Sequence, residues 1–168
     1  MDECIDHNTI REPRMLAPPE VLGALEQHRQ AIAENWARLA VKTLGSPDFM
    51  ALSERTAWIV RVMEAVSEAL RTGSDRLLDP LIFEIATVFG VHEVDIGNRV
   101  LMWLHGRTAG LDVLRRSYPG NADLVLESMA HFDGRLNYCL ALISRMYAVH
   151  MQGELLQRQA RTELLLNT

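Results

Sequence analysis

A chain of 168 residues with 48% apolar and 23% charged side chains and a net charge of −5 has the balance of one soluble globular domain, not of a disordered segment. The acidic excess argues against a broad nucleic-acid surface, which needs clustered lysine and arginine, and Arg115-Arg116 is the one adjacent basic pair. No apolar run approaches the roughly 18 residues of a membrane span, and the acidic, polar first residues do not read as a signal peptide, so no membrane partner and a cytoplasmic location are expected.

Ala, Leu, Glu, Arg and Met dominate, and strand-like alternation of Val or Thr with polar residues is scarce, so the expected fold class is all-α. Residues 1–17 read as an irregular leader without a periodic apolar face. Pro18-Pro19-Glu20 opens a first helix, because proline suits a first turn whose N–H groups are unpaired anyway. Val21, Leu22, Leu25, His28, Ile32, Trp36, Leu39 and Ala40 trace one face of it down to a cap at Gly45, and Ser46-Pro47-Asp48 reads as a turn. A second helix starts near Ser53 and Glu54, carries Trp58, Ile59, Val62, Met63, Val66 and Leu70, and ends at Thr72-Gly73-Ser74-Asp75. A third takes Leu77 to Phe89, with Pro80 in its first turn and Gly90 stopping it.

The fourth helix is expected from about Glu93 to Tyr118 on Ile96, Val100, Leu101, Leu104, Leu111 and Leu114, closed by Pro119-Gly120. Gly97, Gly106 and Gly110 lie inside it at about 1 kcal/mol each against alanine, a cost that close helix packing would offset. From Asn121 onward a single period of three and four carries Leu124, Met129, Phe132, Leu136, Leu140, Ile143, Met146 and Tyr147 on one face. After His150 the apolar positions thin out. The expectation is a globin-like bundle of five to six helices over 18–150, with residues 151–168 as a helical stem directed to an output domain or a dimer partner.

Four stretches carry a family resemblance: Gln-His-Arg-Gln-Ala-Ile-Ala-Glu-Asn-Trp-Ala at 27–37, Ser-Glu-Ala-Leu-Arg-Thr-Gly at 67–73, Phe-Asp-Gly-Arg-Leu-Asn at 132–137 and Arg-Met-Tyr-Ala-Val-His at 145–150. Together they resemble the N-terminal sensor domain of the RsbR/RsbRD type, found in stressosome co-antagonists and ahead of histidine kinases, over about residues 20–160. The resemblance implies a dimeric, globin-like helical domain that binds no haem and whose last helix runs into an output module. No STAS or kinase domain follows Thr168, so the chain reads as an input part alone or a stand-alone relative.

Candidate chemistry is sparse. A helical histidine facing a pocket can ligate haem iron, and His105 and His92 are the best placed; capping or partly buried histidines are the ordinary reading. Glu127 and His131 sit four apart, but two ligands do not close a zinc site, so no metal is expected. Cys139, among Tyr138, Leu140 and Leu142, reads as a buried inert thiol, and Cys4 offers no disulfide framework with it. Nucleophile elbows, phosphate loops and dinucleotide fingerprints are absent, so no catalytic residue is assigned and no enzyme is expected. Trp36, Trp58, Trp103 and Phe132 either pack as core or line a small-molecule pocket. Tyr147, Met151, Leu155, Leu156 and Leu164 read as the seam of a homodimer formed through the last helix.

The expected function is therefore a non-catalytic sensory or regulatory domain with no cofactor, responding to an unidentified ligand or partner protein. The alternatives are a haem-binding gas or redox sensor and a small all-α enzyme with a site built from scattered residues.

Overall fold

The computed structural model describes residues 16–44 and 50–166. Of the leader expected over 1–17, residues 1–15 lie outside the described residues, as do the cap at Gly45, the turn at Ser46-Pro47-Asp48 and the side chains of Leu164 to Leu166. Within them are six helices and no strand: α1 (Pro19–Gln27), α2 (Arg29–Leu44), α3 (Leu52–Thr72), α4 (Leu78–Val91), α5 (Ile96–Ser117) and α6 (Ala122–Leu166). None is long and apolar enough to cross a membrane.

The single first helix expected from the sequence is two. Pro19 starts α1 as anticipated, but the chain breaks at His28, whose φ of −105° and ψ of 8° leave the helical range. Neither glycine nor proline causes the break. The His28 ring stands edge-on to Tyr118 with centroids 5.4 Å apart, and its Nδ1 lies 3.4 Å from the Ser117 hydroxyl. The two halves also have different neighbours: α1 packs on α3 and α6, whereas α2 packs on α3 and α5. Tertiary partners override local helix propensity here.

α3 follows expectation. All six of its predicted core positions are buried, the Glu54 carboxylate accepts from the Ala51 N–H at 3.3 Å, and Gly73 ends the helix in the left-handed region at φ 73°. α4 runs through Gly90 to Val91 rather than stopping before it.

α5 is central, but of the six residues that suggested its core only Leu114 is fully buried. Leu101 and Leu104 are exposed, Ile96, Val100 and Leu111 are half-buried, and the fully covered side carries Arg99, Met102, Trp103, Gly106, Ala109, Gly110, Val113 and Leu114. The reason is backbone approach. A Cβ on Gly106 would lie 2.8 Å from the Trp36 ring, and one on Gly110 would lie 2.9 Å from the Phe132 ring. Small residues let α5 press against α2 and α6, and Leu101 and Leu104 take the outside. Gly97 has no such role; its neighbour is the Asp95 carboxylate of its own cap.

The core is aromatic. Trp36 meets Trp103 at 5.5 Å and Phe132 at 6.5 Å, and Trp103 meets Trp58 at 6.0 Å, all edge-to-face. Trp36 donates its indole N–H to the Met102 carbonyl at 2.7 Å, which fixes the ring against Gly106.

α6 is one helix of 45 residues, about 67 Å long at 1.5 Å per residue. Asn121 caps it by accepting the Leu124 N–H at 3.1 Å. Val125, Met129, Phe132, Leu136, Cys139 and Ile143 fill the core, and from Ala148 onward every described side chain but Glu154 is exposed. The composition changes at His150; the backbone does not.

Candidate functional site

The most unusual side chain stands where α6 leaves the body. The α4–α5 corner is a Schellman turn: Val94 N–H reaches back to the Phe89 carbonyl at 2.9 Å, and Glu93 N–H to Gly90 at 3.2 Å. Its left-handed position is taken by Glu93, with φ 52°, where glycine is usual. Asp95 then caps α5, accepting Asn98 N–H at 3.0 Å and the Asn98 side-chain amide.

One turn into α5, Arg99 folds back under this corner. It is only 5% exposed. Its Nε donates to the Val94 carbonyl at 2.7 Å. Its guanidinium lies over the Tyr147 ring of α6 at 4.9 Å and the Phe89 ring of α4 at 5.6 Å, so two aromatic faces hold the cation. Among the described residues no carboxylate forms an ion pair with it, and no acceptor meets its two Nη groups. Burial pulls the guanidinium below its ordinary range, while Tyr147 and Asp95 act in the opposite sense. A covered cation without a directly paired carboxylate is costly, and arginine cannot shed its proton as lysine can.

Two clefts meet at this side chain. The first, of about 460 Å³, is lined by Ala86, Thr87, Gly90 and Val91 of α4, Arg99, and Met146 and His150 of α6. The second, of about 380 Å³, lies beyond the corner and takes in Glu93, Asp95, Tyr147, Met151, Glu154 and Arg158. Gly90, Arg99 and His150 border both. The carboxylates are segregated: Glu93, Asp95 and Glu154 all border the second cleft and none borders the first. Glu154 lies 3.5 Å from His150 and 3.9 Å from Arg158, and Asp95 is occupied by Asn98. The first cleft is thus an apolar trough with one buried positive group at its end. Such a trough can hold an anion by paired N–H donors.

The residues singled out from the sequence fall elsewhere, with two exceptions. Tyr147 and Met151, expected in a dimer seam, belong to this site at the root of the stem. Leu155 and Leu156, also expected in that seam, are exposed on the last part of α6. Trp36, Trp58, Trp103 and Phe132 line none of the clefts; they pack on one another in the interior, which corrects the pocket suggested for them. His92 ends α4 on the surface, and His105 is half-buried on α5 next to Gly106, with burial lowering its pKa. Neither borders a cleft described above, and the Trp36, Trp103 and Phe132 rings pack on one another in the interior beside α5.

No group of three or more His, Cys, Asp or Glu side chains able to hold a metal occurs among the described residues. Cys139 is fully covered, and burial, followed by the nearby Asp75 and Asp79 carboxylates, pushes its thiol up to about 12.

Sequence reasoning missed Arg99, because a lone helical arginine ordinarily reads as solvated. A signal existed: Arg99 lies three, four, seven and eleven residues before Met102, Trp103, Gly106 and Gly110, in phase with the covered face. Comparison with protein families, with curated proteins and with solved structures finds no match.

Proposed function

We propose that this chain is a non-catalytic sensory or regulatory domain that passes a conformational signal outward along α6. The observation that supports this reading most is the double role of that helix. Its first half is packed against α1, α3, α4 and α5, whereas Val149, Leu155 and Leu156 beyond it are 64%, 55% and 66% exposed. A bundle gains no stability from such a projection, and exposed leucines on a helix suit a second helix. The site at Arg99 supports the same reading, since Tyr147, His150 and Met151 on its border are residues of α6 itself. A ligand that prefers one packing of α6 against the α4–α5 corner biases the position of the stem by its differential affinity. The resemblance to RsbR-type sensor domains agrees with this reading and adds a homodimer through the stem and an output module or partner protein beyond it.

The test is association of the intact chain compared with Leu155→Asp/Leu156→Asp and with a chain ending at His150. Sedimentation or light scattering is expected to show dimers only for the intact chain, with unchanged helicity and melting of the body in all three. A monomeric intact chain removes the seam, and dimers of the shortened chain place the interface elsewhere.

A further inference from the structure

We propose that the first cleft binds a small monocarboxylate with a compact apolar tail, its carboxylate on the Nη groups of Arg99 and its tail along Ala86, Val91 and Met146. As the signal of a sensor this ligand rests on the function proposed above; as a binding event it stands on the geometry alone.

The argument starts from charge. Arg99 is nineteen-twentieths covered, its Nε is committed to Val94, and among the described residues its two Nη groups meet no acceptor. The planar fork of a guanidinium fits a carboxylate through two parallel hydrogen bonds. One permanent positive charge suits one negative charge. A dianion such as phosphate would face no second cation in this cleft, because Arg158 borders only the other one.

Polarity selects the rest of the ligand. Thr87 spends its hydroxyl proton on the Phe83 carbonyl at 2.9 Å, and His150 is drawn towards Glu154. The remaining lining is the carbon of Ala86, Gly90, Val91 and Met146. A methionine wall adapts to tails of different shape, and about 460 Å³ lies within the ordinary range for small-molecule sites. The carboxylates of the second cleft repel an anion there and leave the first cleft as its place.

The site also explains Gly90. Glycine inside α4 is unfavourable for the helix, yet nothing lies within 4 Å of the position its Cβ would take. The missing side chain widens the trough beside Arg99 instead of relieving a clash.

Calorimetric titration of the full chain with hexanoate, 1-hexanol and inorganic phosphate tests the inference. Hexanoate is expected to bind one per chain, with affinity about tenfold or more above that of 1-hexanol, the scale of one charge-assisted hydrogen bond, and phosphate is expected not to bind. Arg99→Met should abolish the preference for the acid. Gly90→Leu should block the trough in a folded protein and remove hexanoate binding, so the test survives even if Arg99→Met fails to fold. Absence of hexanoate binding, equal affinity for 1-hexanol, binding of phosphate instead, or undiminished binding to Gly90→Leu would each overturn it. Hydrogen exchange over residues 147–166 with and without hexanoate separates the two proposals. Binding that leaves the stem unchanged upholds the site and defeats the relay.

Discussion

Arg135 of α6 and Asp75, between α3 and α4, form a buried ion pair, Nη1 to Oδ1 2.9 Å, with side chains 10% and 4% exposed. Arg135 also donates to the Ala69 carbonyl at the end of α3, and Tyr138 one turn on donates to Asp79 at the start of α4 at 2.5 Å. The middle of the long helix is thereby clamped to the α3–α4 corner. Removing one partner strands a covered charge, so Arg135→Met is expected to cost about 3–5 kcal/mol in urea unfolding. Asp75→Leu/Arg135→Met should recover much of that loss, because an apolar pair leaves no charge behind. A double variant as unstable as the sum of its parts would contradict the clamp.

Glycines on facing and non-facing positions should respond with opposite sign. Gly106→Ala drives a methyl into the Trp36 ring, which is tied to Met102 and cannot yield, and should destabilise by about 1–3 kcal/mol. Gly134→Ala on α6, where a Cβ meets nothing within 4 Å, should stabilise by about 0.5–1 kcal/mol through helix propensity alone. Chemical denaturation of the two single variants checks both signs.

Cys139 should be inert. With its thiol pushed up to about 12 by burial and by Asp75 and Asp79, the thiolate is negligible at neutral pH, and the side chain has no exposed surface. In a Cys4→Ser background, alkylation by iodoacetamide is expected to be slow and to accelerate only across the unfolding transition. Fast labelling of the native protein would show that α6 opens from the core.

His105 gives a pH dependence of known sign. Burial lowers its pKa below the ordinary 6.5, so the folded chain holds its proton less tightly than the unfolded one. Above the unfolded value both states are neutral and stability is unaffected. As pH falls through that value the unfolded state takes up the proton first, and stability declines until the folded pKa is passed. His105→Gln should flatten that part of the stability profile between pH 7 and pH 5 without altering it above. Melting curves of both proteins over that interval decide it.

How far the sequence led varies with the kind of helix. The core face and the end of α3 were legible, because Trp58, Ile59, Val62, Met63, Val66 and Leu70 repeat without interruption and a glycine follows. α6 was legible as a long helix because nothing in it breaks the period. α5 misled, because side-chain size and burial run in opposite directions where backbones touch: Gly106 and Gly110 face the core while Leu101 and Leu104 face outward. The break at His28 left no local mark, since the residues that His28 meets, Ser117 and Tyr118, lie about ninety positions away. The Arg99 site depends on three segments brought together by the fold, from Phe89, Arg99 and Tyr147, and only its helical phase was written in the chain.

The unbroken course of α6 has a geometric consequence. Each residue of a helix turns the next by about 100°, so a rigid helix fixes the compass bearing of its tip as well as its distance. Inserting one residue after His150 would swing Leu155 and Leu156 about a quarter turn around the axis, whereas seven, nearly two full turns, would restore their heading about 10 Å farther out. The protein therefore presents its exposed leucines at a set azimuth relative to Arg99. Any surface that meets them must match that angle, and not merely reach that far.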